Sequence, residues 1–160
     1  MIVVADTSPL NYLVLIGSLE CLPLLYGKVY IPPACASELV APAAPLQVRS
    51  WFENSPTWLI VAAPKDPNDP RLSHLDRGER EALALAMELH ASLVLIDERD
   101  GRSAAKICGL TIAGTLRVLA DAAAVGAVNL ELAFIRLQST GFRADPRLID
   151  LLLVESRKRV

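Results

Sequence analysis

Aromatic side chains are scarce in this chain: three tyrosines, three phenylalanines and two tryptophans, against a hydrophobic fraction of 52%. The core must therefore be built of alanine, leucine and valine, a composition typical of a sheet covered by helices. Cysteine is also rare. Cys21, Cys35 and Cys108 share no metal-ligand spacing and sit among apolar neighbours. That argues against a zinc site or a disulfide scaffold and reads as reduced core thiols of a cytosolic protein. The two histidines, His74 and His90, have no spacing that would bring them to one site. Positive charge is not in excess, since 16 Lys and Arg face 18 Asp and Glu for a net charge of −2. No global basic field marks a nucleic-acid binder, and only local patches remain for that purpose. No apolar run approaches ~20 residues, which argues against a membrane-spanning helix. The N-terminus lacks the basic segment and long apolar run of a signal peptide. A cytoplasmic protein is expected, with no internal repeat and no low-complexity tract. The length fits one domain over residues 1–160, burying roughly 70% of its unfolded surface.

What the chain does have is a distinctive beginning, MIVVADTS. Ile2 to Ala5 is a continuous apolar, β-branched run, as expected of a central parallel strand covered on both faces. It ends in Asp6-Thr7-Ser8, and Pro9 opens a helix reaching Ile16, stopped by Gly17. In open α/β sheets ligands collect beyond the carboxyl ends of the strands. An acid at such an end is placed for chemistry, although Asp6 or Ser8 reads equally well as a helix cap.

The same alternation continues. The sequence predicts a helix from Ser18 to about Tyr26, a strand over 28–31, a helix over 33–40 opened by Pro33, a short helix over 47–54 and a strand over 58–62. Pro64 to Ser73 is a proline-rich surface loop. Asp76 then caps the clearest helix, with Glu79 three residues on as the partner of a capping box, running to about His90. A fourth apolar strand, Leu93 to Ile96, again ends in an acid, Asp97. Helix 101–108, a strand at 110–112 and helices near 115–125, 130–139 and 146–157 complete the chain. The last two pack on the same domain, and Arg157-Lys158-Arg159 suits the end of a helix dipole. Strands alternating with helices imply a parallel sheet with right-handed crossovers, a three-layer α/β/α fold. Asp6 and Asp97 then share one rim.

Glu38 shares a helix face with Ala34 and Cys35 at helical spacing. Glu79 and Glu81 lie about 200° apart around their helix, so at most one points at the rim. Each glutamate has a structural reading, since acids in the first turn are favoured by the helix dipole. Several carboxylates in one cleft, however, raise one another's pKa unless a cation neutralises them. Oxygen donors of this kind match Mg²⁺ or Mn²⁺, and such a cluster without a nucleotide loop suits phosphodiester hydrolysis.

The segments ADTSPL, the glutamate after strand two, GEREALALA, LVLIDERDGR and GLTIAGTLRVLADAAAVGAV resemble the PIN-domain nucleases. Within that family the resemblance is closest to the short bacterial and archaeal proteins related to VapC toxins, and it covers roughly residues 2 to 125. It implies a five-stranded parallel sheet of order 3-2-1-4-5. It also implies a catalytic, metal-holding set of Asp6, Glu38, Glu81 and Asp97, with Ser8 supporting Asp6. Asp100 is a possible additional acid, or a cap for the helix beginning near Gly101. Glu79 stands in for Glu81 if the register differs. Leu95 departs from the family, which often has threonine two residues before the strand-four acid.

The activity implied is a Mg²⁺- or Mn²⁺-dependent endoribonuclease acting on RNA, the toxin of a toxin–antitoxin pair with an antitoxin protein as partner, and a homodimer. A non-catalytic PIN-like module binding RNA or protein is the main alternative. A receiver-type phosphoacceptor would need a lysine at the end of strand five, where Thr111-Ile112-Ala113-Gly114 has none. A phosphotransferase using Asp6 would want a second Asp where Ser8 stands. Arg99, Arg102, Lys106 and Arg117 follow the strand-four rim and suit either phosphate contacts or a solvated face. Trp51 and Trp58 read as packing residues.

Overall fold

Five short strands, β1 (Val3–Ala5), β2 (Val29–Ile31), β3 (Leu59–Val61), β4 (Leu93–Leu95) and β5 (Ile112–Ala113), make one sheet in this computed structural model. The structure describes residues 1–158; Arg159 and Val160 lie outside the described residues, and with them the last of the expected basic C-terminal trio. All strand pairs are parallel and the order is β3-β2-β1-β4-β5, as the resemblance implied. Chain direction across the sheet therefore reverses at β1. The strands following it in sequence build outward on one side, and β4 returns to its other side, opening a crevice between the two.

The helices are α1 (Thr7–Leu15), α2 (Cys21–Tyr26), α3 (Pro33–Leu39), α4 (Leu46–Glu53), α5 (Arg77–Glu88), α6 (Arg99–Ile107), α7 (Thr115–Ala124), α8 (Leu130–Gln138) and α9 (Pro146–Lys158). Successive strand residues face opposite layers. Val3, Ala5, Leu95 and Ala113 pack with Leu10, Leu22, Leu119, Phe134 and Leu152 from α1, α2, α7, α8 and α9. Val4, Val94 and Ile96 pack on the other face with Ala82, Leu85, Ala104 and Ala105 from α5 and α6. Both faces are covered, which is why the central strands are apolar without alternation.

Element ends follow local chemistry. Gly17, Gly27 and Gly109 all take positive φ just after helices, the conformation glycine adopts without a Cβ clash. The amide of Leu110 donates to Ala105 O at 2.9 Å, tying it to the end of α6, so β5 begins at Ile112 and not at Leu110 as the sequence predicts. Two other starts move. α1 begins at Thr7, with Pro9 inside the first turn where its missing N–H costs nothing. α6 begins at Arg99, before the Gly101 expected from the sequence. The loop over 64–73 contains a 3₁₀ turn, Pro70–Leu72, whose Leu72 is buried against the sheet.

Candidate active site

Register decides what each strand-end acid can reach. β1 and β4 pair with Ala5 level with Leu95, and the Asp6 amide donates to Leu95 O at 2.9 Å. Continuing that register sets Asp6 level with Ile96 and leaves Asp97 one residue further on. One residue is one change of face. Asp6 therefore turns toward the layer that holds α5, and Asp97 turns toward α7.

Asp6 is 4% exposed and stands at the N-cap position of α1, yet its carboxylate does not make a capping bond. It instead borders a cleft of about 220 Å³ together with Glu38, Asp76, Glu79 and Glu98, and with Thr7, Ser8, Asn11 and Tyr12. The lining contains five carboxylates and no lysine, arginine or histidine. Burial lifts Asp6 to about 6, reinforced by the charges of Glu38 and Asp76 and partly offset by the Thr7 amide and the Cys35 thiol. The Cys35 Sγ donates to Asp6 Oδ1 at 3.4 Å, and burial beside that carboxylate pushes the thiol pKa far up, so Cys35 is an inert wall. Glu79 is lifted to about 7, first by burial and then by the neighbouring Asp76, Asp6 and Glu98.

The helices bring these acids together for identifiable reasons. The capping box at the start of α5 is complete: Glu79 N donates to Asp76 Oδ1 at 2.8 Å, and Asp76 N donates to Glu79 Oε2 at 3.4 Å. It orients Asp76 and Glu79 at the same helix end, beside Asp6. Glu38 reaches the cleft from α3 because Gly78 has no side chain; a Cβ there would collide with the Glu38 carboxylate. Glu79 thus completes the capping box and lines the cleft at once. Ser8 lies in the second position of α1 and lines the cleft beside Asp6.

Two expected site acids are not in this cleft. Glu81 is buried, and its Oε1 accepts from the Ala34 amide at 3.2 Å while Oε2 accepts from Arg77 Nε at 2.7 Å. α3 opens with Pro32 and Pro33, which have neither a side-chain oxygen nor an N–H, so Ala34 has the first free amide and Glu81 caps it from a different helix. Glu81, expected in the metal-holding set, is thus outside the lining of this cleft, and Glu79, the residue held in reserve for it, is part of it. Asp97 is the second of these acids outside the cleft lining. Its Oδ1 accepts from Thr115 N and its Oδ2 from Thr115 Oγ1, both at 2.7 Å, so it caps α7. Burial raises its pKa, and the Thr115 bonds and Arg102 oppose the rise. Asp97 borders a separate, larger cavity. Asp100 is exposed in the first turn of α6 and lines neither space; the capping position there belongs to Glu98.

Glu98 and Asp76 are the cleft acids that sequence reasoning did not assign to the site. Glu98 had a signal. It directly follows Asp97, and if Asp97 faces away then the next residue faces Asp6's side. Asp76 was recognised as a cap, and a cap residue at the rim is necessarily close to whatever the rim binds.

The donor set fits a hard divalent cation: oxygen ligands only, a surplus of negative charge, and two acids whose pKa values are raised by burial and by neighbouring carboxylates. A buried Thr7 Oγ1 in the same wall also lacks a hydrogen-bond partner among the described residues. Among those residues no group of three or more His, Cys, Asp and Glu side chains is already placed to hold a metal ion.

Among the described residues no helix is long and apolar enough to cross a membrane. A comparison with curated proteins and with solved structures finds no match. The family model described as PIN domain matches residues 2–158, nearly the whole chain. The sheet order agrees with that match, and the chain belongs to the PIN-domain family, whose members are generally nucleases.

Proposed function

We propose that this chain is a metal-dependent endoribonuclease that hydrolyses RNA phosphodiester bonds, with Mg²⁺ or Mn²⁺ held in the acidic cleft. The observation that carries the reading is the gathering of five carboxylates, without one cationic side chain, at the crevice beside β1. Asp6, Glu38 and Glu79 would hold the ion, with Glu98 and Asp76 at the margin and Ser8 and Thr7 lending hydroxyls to the wall. A bound divalent ion supplies charge neutralisation, water activation and stabilisation of the leaving oxygen. The chain's own acids must shed their protons to receive it, so the raised pKa values of Asp6 and Glu79 tie binding to pH. Asp97 supports the site indirectly: it anchors α7 and lies against Arg102, with Gly114 leaving the space both require.

In the same reading the chain is a VapC-like toxin, cytoplasmic and homodimeric, neutralised by an antitoxin protein. What supports this part is the sequence resemblance over residues 2 to 125. Induced expression should arrest growth, and Asp6→Asn should abolish the arrest.

The test of the nuclease itself is cleavage of a mixed structured and single-stranded RNA pool by the purified protein. Cleavage with Mg²⁺ or Mn²⁺, lost in EDTA and lost in Asp6→Asn, is the expected result. Absence of both cleavage and Mn²⁺ binding would favour the alternative of a non-catalytic PIN-like module binding RNA or protein. Leu95 and the lack of three convergent ligands among the described residues favour that alternative.

A further inference from the structure

Beside the acidic cleft, and sharing Tyr12 and Glu98 with it, lies a cavity of about 630 Å³ at the open end of β4 and β5. Its volume falls within the roughly 300–1,000 Å³ of small-ligand sites. Unlike the cleft, its lining carries cations, Arg102, Arg117 and Arg143, beside its acids, Asp97, Glu98 and Asp145. Arg102 from α6, Arg117 from α7 and Arg143 from the loop before α9 converge on it from three separate elements. An exposed arginine is ordinarily just solvated, but these three share one concave space.

The charges available there are mostly free. Arg117 has Asp121 as its nearest carboxylate partner, at 4.0 Å, and its side chain is 48% exposed. Arg143 is exposed and makes no ion pair among the described residues. Three acids share the lining, Asp97, Glu98 and Asp145, and two of them have hydrogen-bond partners. Both Asp97 oxygens are held by Thr115, and Asp145 Oδ1 accepts from the Arg147 amide at 2.9 Å. Tyr12 and Phe142 form an edge-to-face pair in the wall, with centroids 4.9 Å apart and planes at 86°. Cationic side chains over an aromatic wall are what single-stranded nucleic acid requires: charge for the backbone and ring surface for a base.

We propose that this cavity is a nucleotide subsite, receiving one nucleotide of a single-stranded RNA next to the bond presented to the acidic cleft, its phosphate on Arg117 and Arg143 and its base on the Tyr12–Phe142 pair. The subsite resolves an electrostatic difficulty. A polyanion is repelled by a cleft of five carboxylates, and in a chain of net charge −2 the attraction must come from a local patch. Arg102 is set apart from the other two, since its Nη1 donates to Ile96 O at 3.3 Å beside Asp97; it braces the rim between cleft and cavity.

The location of this subsite next to the scissile bond rests on the nuclease reading, but its test does not. Fluorescence anisotropy of a labelled 12-nucleotide single-stranded RNA in EDTA measures binding with cleavage silenced. The variants are Asp6→Asn and the double variant Arg117→Ala/Arg143→Ala, whose truncated side chains are exposed and leave the core untouched. The double variant should bind on the order of 10-fold more weakly, with a salt dependence shallower by roughly 0.7 in log–log slope for each phosphate contact removed. Asp6→Asn should bind at least as tightly as the parent. Unchanged affinity in the double variant overturns the subsite, and so does a parent chain that binds no RNA. Tighter binding of the DNA oligonucleotide of the same sequence overturns its assignment to RNA. A polyglutamate peptide whose binding alone depends on the two arginines would reassign the cavity to an acidic protein segment. If RNA binding behaves as predicted while no metal-dependent cleavage occurs, the nuclease reading fails and the subsite stands.

Discussion

Glu79 and Glu81 stand two positions apart on α5 and serve different neighbours, and the reason is the rotation of that helix. Glu79 turns to Asp6 and the cleft; Glu81 turns to the amide of Ala34. Removing Glu81 should therefore be a stability lesion. Glu81→Ala deprives α3 of its cap and should cost about 1–2 kcal/mol, roughly 2–8 °C in Tm by thermal melting, with Mn²⁺ affinity unchanged. Asp6 and Glu79 carry the opposite signature. Their pKa values, about 6 and about 7, lie above the ordinary carboxylate range, so the folded chain holds these protons more tightly than the unfolded one. The stability they contribute is complete below about pH 4 and is lost as pH rises through 6 to 7. The Tm in EDTA should accordingly be lower at pH 8 than at pH 5. Asp6→Asn should recover on the order of 1–3 kcal/mol at pH 8, and Mn²⁺ should stabilise the parent there but not the variant. A Tm that is flat over this range, and unaffected by Asp6→Asn, would contradict the burial of uncompensated charge.

At the scale of elements, the cleft exists because α3 and α5 approach closely where Gly78 leaves room for Glu38. Gly78→Ala places a methyl against the end of an exposed, flexible side chain, which can swing away. The expected outcome is a fold of undiminished Tm whose Mn²⁺ affinity, by calorimetry, falls on the order of 10-fold because Glu38 has left the cleft. A large loss of Tm would mean that the approach is rigid. Much of this element-level structure was legible in the sequence. The capping box of Asp76 and Glu79, the glycine stops at Gly17, Gly27 and Gly109, and the apolar strands all encode themselves locally. The cap of α3 was not legible. Its acceptor lies 47 residues away on another helix, and the Pro32-Pro33 pair says only that an acceptor must come from elsewhere.

For the molecule as a whole, the alternation of strands and helices implied a parallel sheet, and the family resemblance added its order. Two strands that each end in aspartate suggested a pair of acids on one rim. What the sequence does not carry is the β1–β4 register, and an offset of one residue suffices to send Asp97 to α7 and bring Glu98 to Asp6's side. The site is thus assembled by topology and selected by parity, with acids of different helices meeting where the sheet order reverses.

The central claim is that the acids of this one cleft, and not every acid on the rim, bind the cation. Titration calorimetry of Mn²⁺ at pH 7.5 into the parent, Glu79→Gln and Glu81→Gln tests it most directly. Binding that is lost in Glu79→Gln and retained in Glu81→Gln is the predicted result. Retention in Glu79→Gln with loss in Glu81→Gln would contradict the assignment of the cleft as the metal site.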